Sequence, residues 1–522
     1  MKKKDVHTGG ISISLGSLLK KTDMLNITGN SNLQITSLCY DSRKANPGSA
    51  FFALKGETAD GHNFIAQALL AGATAIVCEH FDENSDAISN AIKNINHEYS
   101  IAVVKNSRQA LAEASHEFFN HPADDLFVYG VTGTNGKTTT TFLLKEILEA
   151  AGMPTGIIGT TGIYYKDVKI EATHTTPESL ELAETLFNMK KSGVEAVVME
   201  VSSHALSQHR ADGIRFLAAG FTNLTHEHLD YHKTMSDYAA AKRILFDGLD
   251  EKAVSVFIAG PYAELMSSRT KSKKYMISRN PDSIFRIKNE KLGLDSTSFN
   301  LILNKTLATM NERFLPPFDM EIKTPLVGRF NIENAALAAA MSVATGIEPE
   351  TVRIALRSAV GAPGRMQRIR LKSDAVAIVD YAHSPDALEK ALRACRELLY
   401  ASRAYGNRLI CVFGCGGDRD KTKRPEMGRI AVELADFVIL TDDNPRTEDP
   451  KAIIDDIYAG VLEEDNHKIE IINSRSAAIE YAYTISGAND IILVAGKGHE
   501  NYQIIGKEKI HFDDCEELAK FC

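Results

Sequence analysis

No run in this 522-residue sequence approaches the length needed to span a bilayer. The basic start Met1-Lys2-Lys3-Lys4-Asp5 is not followed by an apolar stretch of signal-peptide length. Neither a membrane anchor nor a secretory leader is therefore expected. Paired cysteines are missing too. The seven thiols (Cys39, Cys78, Cys395, Cys411, Cys415, Cys515, Cys522) show no paired metal-ligand spacing, and Cys411 and Cys415 have no second pair or histidine cluster beside them. An odd, scattered set suits reduced thiols in a cytoplasm. An excess of positive charge is also lacking. The net charge of −9 argues against a nucleic-acid partner gripped through its phosphates, while leaving room for a small anion in a local basic site. There are no internal repeats and no low-complexity segments.

What is present reads as an ordinary soluble protein, 44% hydrophobic and 24% charged. The length suits two to four domains. Three parts suggest themselves, at residues 1–122, 123–362 and 363–522. The first ends at a polar, proline-bearing break around residues 120–125 and carries short strand patterns at 50–54 and 75–77. The second alternates strands and helices, with buried strands expected at 194–201 and 216–222, more polar strands between about 251 and 325, and a helix at 332–340. The third alternates strands (376–379, 409–413, 437–440, 469–472, 491–494) with helices such as 385–398. This rhythm predicts an α/β protein with mostly parallel sheets: an N-terminal α/β domain, a central P-loop-type domain and a C-terminal Rossmann-like domain. Ligands of such sheets sit at the C-terminal ends of the strands. Asp380, His383, residues 414–419, 441–446 and 496–500 fall there.

The most informative segment runs from Val128 to Thr140. An apolar run meets Gly133-Thr134-Asn135-Gly136-Lys137-Thr138-Thr139, and a helical pattern follows at 142–148. Strand, glycine turn and helix N-terminus make a phosphate cradle. Loop N–H groups and the helix dipole face the anion, the lysine neutralises it, and the next hydroxyl can hold Mg²⁺. The common P-loop has a further glycine where this chain has Val131.

Three further features carry chemistry. Glu200 ends an expected strand, where an NTPase places a carboxylate directed at Mg²⁺. His226, Glu227, His228, Asp230 and His232 crowd one segment, whose spacing fits a metal site or a polar loop equally. Lys242 shares a helix face with Tyr238, Leu245 and Leu249. Such a lysine either snorkels to water or has lost its charge by modification, and spacing does not choose between them.

These motifs, in order, resemble the Mur ligases of peptidoglycan synthesis. The resemblance rests on residues 133–139, Glu200-Val201-Ser202-Ser203-His204, Glu227-His228-Leu229-Asp230-Tyr231-His232, Gly328 to Asn334, Pro363-Gly364-Arg365 and Asp380-Tyr381-Ala382-His383. It covers residues 40 to 515. The pattern is most similar to the member that adds the third peptide residue to UDP-N-acetylmuramoyl-L-alanyl-D-glutamate. The resemblance implies a uridine-binding first domain, with Tyr40 and Ser42 among its contacts, and sugar-peptide contacts from Thr175, Thr176, Ser202, Gln208 and Arg210. It implies that Gly133, Thr134, Asn135, Gly136, Lys137, Thr138, Thr139, Asn331, Arg365 and Asp380 bind ATP. It also implies Mg²⁺ among Thr138, Glu200, His228 and a CO₂-carbamylated Lys242, with Lys137, Glu200, His228 and Lys242 catalytic. A carbamate would supply an anionic oxygen where an ammonium would repel the cation.

Thr441-Asp442-Asp443-Asn444-Pro445-Arg446 resembles the string of members that add meso-2,6-diaminopimelate. That amino acid differs from lysine by one carboxylate, which a guanidinium can grip through two parallel bonds. Arg419, Asp443, Asn444, Pro445, Arg446, Gly496 and Glu500 are the expected contacts. Rival readings are a lysine-adding relative, a folylpolyglutamate synthetase, and an NTPase switch or motor. The expected partners are the UDP-sugar peptide and diaminopimelate, with no nucleic acid or membrane, and the expected state is a monomer.

Overall fold

The computed structural model describes residues 10–56, 59–225, 227, 229–401 and 406–522, without the side chains of Leu229 and Asp230. The chain divides into two compact units, Met1–Asn135 with Gly152–Lys274 and Gly136–Ala151 with Tyr275–Cys522. The class is α/β, as the alternation predicts.

The first unit opens with a five-stranded sheet in the order Met24–Thr28, Ser100–Val104, Ala75–Cys78, Ser49–Phe52, Ser37–Cys39. All pairings are parallel except that of Met24–Thr28 with its neighbour. Strands such as Ala75–Cys78 are buried along their whole length because helices cover both faces. The unit's second group of strands contains Thr155–Gly159, Ala196–Glu200, Phe127–Thr132, Phe216–Phe221 and Val254–Ile258, side by side and parallel. A hairpin, Gly162–Tyr165 and Val168–Ile170, joins antiparallel at the edge. After Phe127–Thr132 the chain goes to one side of that strand and later returns to its other side as Phe216–Phe221. This strand therefore marks a topological switch point, where a crevice opens beyond the strand ends. Register pairs Glu200 with Val131 and Phe221 with Thr132, so all three strands finish level with the glycine turn.

In the second unit, Phe285–Lys291, Thr297–Leu303 and Phe318–Thr324 form antiparallel pairs. Helix Arg329–Thr345 is apolar nearly all round and buried from Asn334 to Thr345, and it packs on helix Lys137–Ala150. The six-stranded sheet runs Gln367–Arg370, Val376–Asp380, Ile491–Ala495, Leu409–Phe413, Phe437–Leu440, Ile469–Ile471. Only its first strand is antiparallel. Val376 and Ile378 join one core with helices Pro385–Ala401 and Lys423–Leu434. Ala377 and Val379 join the other, with Arg475–Ile485. Two covered faces explain why these strands read as unbroken apolar runs. Among the described residues no helix is long and apolar enough to cross a membrane.

Candidate active site

The glycine turn begins where strand Phe127–Thr132 ends, and Val131 is buried inside that strand. The glycine missing from the common pattern is thus a strand residue here, and Gly133 and Gly136 make the turn. Gly136 caps helix Lys137–Ala150 in the left-handed region at φ 86°, and the side chain of Asn334 occupies the space a Cβ would need. Segment 222–225 holds the loop. Thr134 N–H donates to the Asn223 carbonyl at 2.8 Å, Asn135 N–H to Asn223 Oδ1 at 3.0 Å, and Thr222 Oγ1 to the Asn135 carbonyl at 2.6 Å. Thr138 and Thr139 are buried in the first helical turn, and Lys137 is half-buried. The first N–H groups of any helix point out of its N-terminus rather than to a carbonyl four residues back, and that is the geometry an anion uses.

Glu200 is 1% exposed at its strand end. One carboxylate oxygen accepts from Thr160 N–H at 2.8 Å and the other from Thr160 Oγ1 at 3.2 Å. The Thr160 hydroxyl also meets that of Thr175 at 3.1 Å. Lys242, on helix Met235–Asp247, is 1% exposed and does not snorkel. Its Nζ donates to the Gly133 carbonyl at 2.9 Å and lies 4.7 Å from the Tyr238 ring centre. His226 and His228 lie outside the described residues, as does the Asp230 side chain. His232 is turned inward, its Nε2 2.8 Å from Ser203 Oγ. Among the described residues no group of three or more His, Cys, Asp or Glu side chains could hold a metal.

The expected sugar-peptide contacts gather in the first unit. Ser202 caps helix Ser203–Ser207 by accepting from Ala205 N–H at 3.1 Å, and its own N–H donates to Thr176 Oγ1 at 3.1 Å. Arg210 donates to Gln208 Oε1 at 3.1 and 2.6 Å and to the Thr176 carbonyl at 3.1 Å. Glu178 completes the set, 2.9 Å from Arg210 and 3.4 Å from Arg108. Tyr40 donates to Glu181 at 2.6 Å, and burial together with that carboxylate pushes its phenol well up. Ser42 is turned to Gln67, at 3.0 Å.

In the second unit, Asn331 is buried, donating to the Val327 carbonyl at 2.8 Å and accepting from Asn334 at 2.9 Å. Asp380 ends its strand and accepts from Met366 N–H at 2.8 Å and Ala382 N–H at 3.0 Å. Burial raises its carboxyl, against the pull of Arg365. The Arg365 guanidinium lies 5.1 Å from the Tyr381 ring centre, and its buried Nε has no hydrogen-bond partner among the described residues.

Three strand-end loops of the six-stranded sheet meet around Asn444. Its Nδ2 donates to Glu500 at 2.9 Å, and its Oδ1 accepts from Lys497 Nζ at 3.2 Å and Ile504 N–H at 3.0 Å. Lys497, fully buried, also reaches Asp443 at 3.1 Å. Burial raises the Glu500 carboxyl, aided by Asp443 and opposed by Asn444, Lys497 and Arg446. Arg446 is half-buried with φ 51°. Its N–H donates to the Ile504 carbonyl at 3.0 Å, its carbonyl accepts from Gly506 at 2.7 Å, and its Nη1 donates to the Gly417 carbonyl at 2.8 Å. Gly496, at φ 113°, passes close to the Asp443 carboxylate. Pro445 is buried against Gly417, where a Cβ would strike the Pro445 carbonyl. Arg419 is exposed, donating within its own loop to the Asp418 carbonyl at 3.1 Å. Thr160, Asn223, Glu178, Asn334 and Lys497 were not among the residues expected from sequence to form the site. Thr160, Asn223, Glu178 and Lys497 meet partners far along the chain, so spacing carried no signal for them. Asn334 lies one helical turn from Asn331, and that spacing was the signal that could have found it.

The sequence matches three family descriptions: Mur ligase family, catalytic domain, over residues 34–119; Mur ligase middle domain over 131–342; and Mur ligase, glutamate ligase domain, over 364–498. It is 40% identical over 510 residues to a UDP-N-acetylmuramoyl-L-alanyl-D-glutamate–2,6-diaminopimelate ligase of Clostridium tetani, covering 97% of this chain and 99% of the relative. It is 43% identical over 487 residues to the ligase of the same name from Chlorobaculum tepidum, covering 92% and 91%. A solved structure of a ligase of that name superposes with a TM-score of 0.67 at 31% identity, covering 98% of each chain.

Proposed function

The chain belongs to the Mur ligase family, and on that premise we propose the full reaction. It is an ATP-dependent ligase that adds meso-2,6-diaminopimelate to UDP-N-acetylmuramoyl-L-alanyl-D-glutamate. A carboxylate is a poor acylating agent because oxide would have to leave. Transfer of ATP's γ-phosphoryl to the D-glutamate side chain gives an acyl phosphate. The amine of diaminopimelate attacks its carbonyl, and phosphate departs from the tetrahedral intermediate.

In this reading Lys137 and the N–H groups of residues 133–139 spread charge on the transferring phosphoryl. Asn331, Arg365 and Asp380 place the nucleotide. Asn331 would do so through its hydrogen bond within the helix to Asn334, whose side chain packs against Gly136. Tyr40, Ser42, Thr175, Thr176, Ser202, Gln208 and Arg210 take the UDP-sugar peptide. Thr138 and Glu200 offer the hard oxygen donors that Mg²⁺ accepts beside waters and phosphate oxygens, with His228 and a carbamate on Lys242 completing the set. Bound there, Mg²⁺ would neutralise charge on the phosphates. Much of the acceleration comes from holding three substrates in line. We place the domain limits at 1–122, 123–362 and 363–522 and take the enzyme to act as a cytoplasmic monomer.

The observation that carries the choice of third substrate is the joining of Arg446, Asn444 and Glu500 across strand-end loops. Diaminopimelate ends in both a carboxylate and an ammonium, and this set offers a cation and an anion. Lysine has no second carboxylate for the guanidinium, so it would leave that cation without an anionic partner from the substrate. Phosphate release tests the ligase reading. It should require the UDP-muramoyl dipeptide and diaminopimelate together, one phosphate per amide formed. Full-rate ATP hydrolysis without either would instead mark a switch or motor.

A further inference from the structure

Arg424 is the second residue of helix Lys423–Leu434, and its side chain is wholly buried. A cation in the first turn opposes the helix dipole, and a buried one needs carboxylates close by. Two are present. Glu448 takes a two-pronged grip, with Nη1 and Nη2 each 3.0 Å from its oxygens, and Asp456 accepts at 2.8 Å. Arg424 Nη2 also donates to the Gly416 carbonyl at 3.2 Å.

Glu448 links this cation to the loops that carry Arg419 and Arg446. Its oxygen accepts from the Asp418 N–H, and its own N–H donates to the Pro445 carbonyl at 3.1 Å. Asp418, held at φ 54°, accepts in turn from Thr447 N–H at 3.2 Å and Thr447 Oγ1 at 2.9 Å. Gly417 N–H donates to the Asn444 carbonyl at 2.9 Å, and the Gly417 carbonyl takes Arg446 Nη1 at 2.8 Å. Loops 416–419 and 444–448 are thus laced together, and the Arg424–Glu448 pair ties both to the helix behind them. The grip of Arg424 and Lys421 pulls the Glu448 carboxyl down to about 2, so the tie stays ionised at any working pH.

We propose that Arg424 and Glu448 are positioning residues that set the aim of the Arg446 guanidinium, and hence the preference for an amino acid with a second carboxylate. The proposal rests on the diaminopimelate reading above. Arg424 is too buried to touch a substrate. It acts through the Gly416–Gly417 backbone, which fixes where Arg446 points. Slack in these loops leaves Arg446 present but misaimed, and lysine, which has no second carboxylate for Arg446 to hold, is affected less.

The test uses the full-length enzyme and three variants, Glu448→Gln, Arg424→Met and Asp456→Asn. For each, KM is measured for diaminopimelate, ATP and the UDP-muramoyl dipeptide, with the diaminopimelate-to-lysine ratio of kcat/KM. Glu448→Gln and Arg424→Met should raise the KM for diaminopimelate by roughly tenfold or more and lower that ratio, with the other two KM values nearly unchanged. Asp456→Asn removes an ion pair from the same arginine but touches neither loop, and should leave the KM for diaminopimelate nearly unchanged. If Arg424→Met does not fold, Glu448→Gln decides. An unchanged KM for diaminopimelate in Glu448→Gln overturns the proposal, as does a parallel rise in all three KM values. A wild-type enzyme that uses lysine as readily as diaminopimelate overturns the underlying reading instead, whatever the variants do.

Discussion

Lys242 and Gly133 are 109 residues apart in the chain, yet the buried lysine Nζ donates to the glycine carbonyl at 2.9 Å. The helix face that looked ambiguous in sequence therefore directs its cation at the start of the phosphate loop. A carbamate formed on this nitrogen would place an anion there. Lys242→Ala is expected to lower kcat by on the order of 100-fold, with partial rescue by short carboxylic acids that fill the gap. Full activity without rescue would show that neither charge nor carbamate is needed.

Thr160 grips both carboxylate oxygens of Glu200. Removing its hydroxyl frees one oxygen while leaving the backbone donor in place. Thr160→Val is expected to raise the Mg²⁺ concentration needed for half-maximal activity by roughly tenfold, with kcat at saturating Mg²⁺ largely restored. Titration of activity against Mg²⁺ checks this, and an unchanged curve contradicts it.

Arg446 sits in the left-handed region because its backbone is pinned on both sides, to Ile504 and Gly506. Arg446→Ala removes the guanidinium and leaves the pins. It is expected to lower kcat/KM for diaminopimelate on the order of 100-fold, the scale of one charged hydrogen-bonded contact. ATP affinity should be unchanged in a direct binding measurement.

The Glu500 carboxyl titrates above its ordinary value of 4.5 because it is buried beside Asp443. As the ionised form is the one that receives an ammonium, KM for diaminopimelate should rise as pH falls through this raised pKa. The rise therefore begins at a higher pH than an ordinary glutamate would give. In Glu500→Gln this acid limb should vanish, leaving a uniformly weaker and flatter profile, while the KM for ATP follows the same pH course in both proteins. For stability the sign is opposite. A raised carboxyl binds more protons folded than unfolded, so its contribution weakens as pH rises through that window.

His116, on helix Ser107–Phe118, is 1% exposed, and burial pulls its imidazole from 6.5 down to about 4. Between these values the unfolded chain carries a proton that the folded chain does not. Stability therefore rises with pH across this window and is lost on acidification, by about 3 kcal/mol at its lower end. Denaturant unfolding from pH 7 down to 4 should show that decline, and His116→Gln should flatten it relative to wild type.

Much of this architecture was legible in sequence because pattern and burial coincide. The run at 376–379 is strand Val376–Asp380, and the pattern at 142–148 lies within helix Lys137–Ala150. Local punctuation also placed Glu200 at a strand end. What could not be read depends on contacts between distant segments. Thr160 meets Glu200 across 40 residues and Arg424 meets Glu448 across 24, and neither spacing belongs to any helix or strand period. Asn331 shows another limit. Its motif was visible, but not that both ends of its amide would be satisfied inside the protein.

The most direct measurement is an amino-acid panel with purified enzyme, ATP and UDP-N-acetylmuramoyl-L-alanyl-D-glutamate, comparing meso-diaminopimelate, its other stereoisomers and L-lysine by product mass and kcat/KM. The arrangement of Arg446, Asn444 and Glu500 predicts predominant incorporation of meso-diaminopimelate. Predominant incorporation of L-lysine would contradict it.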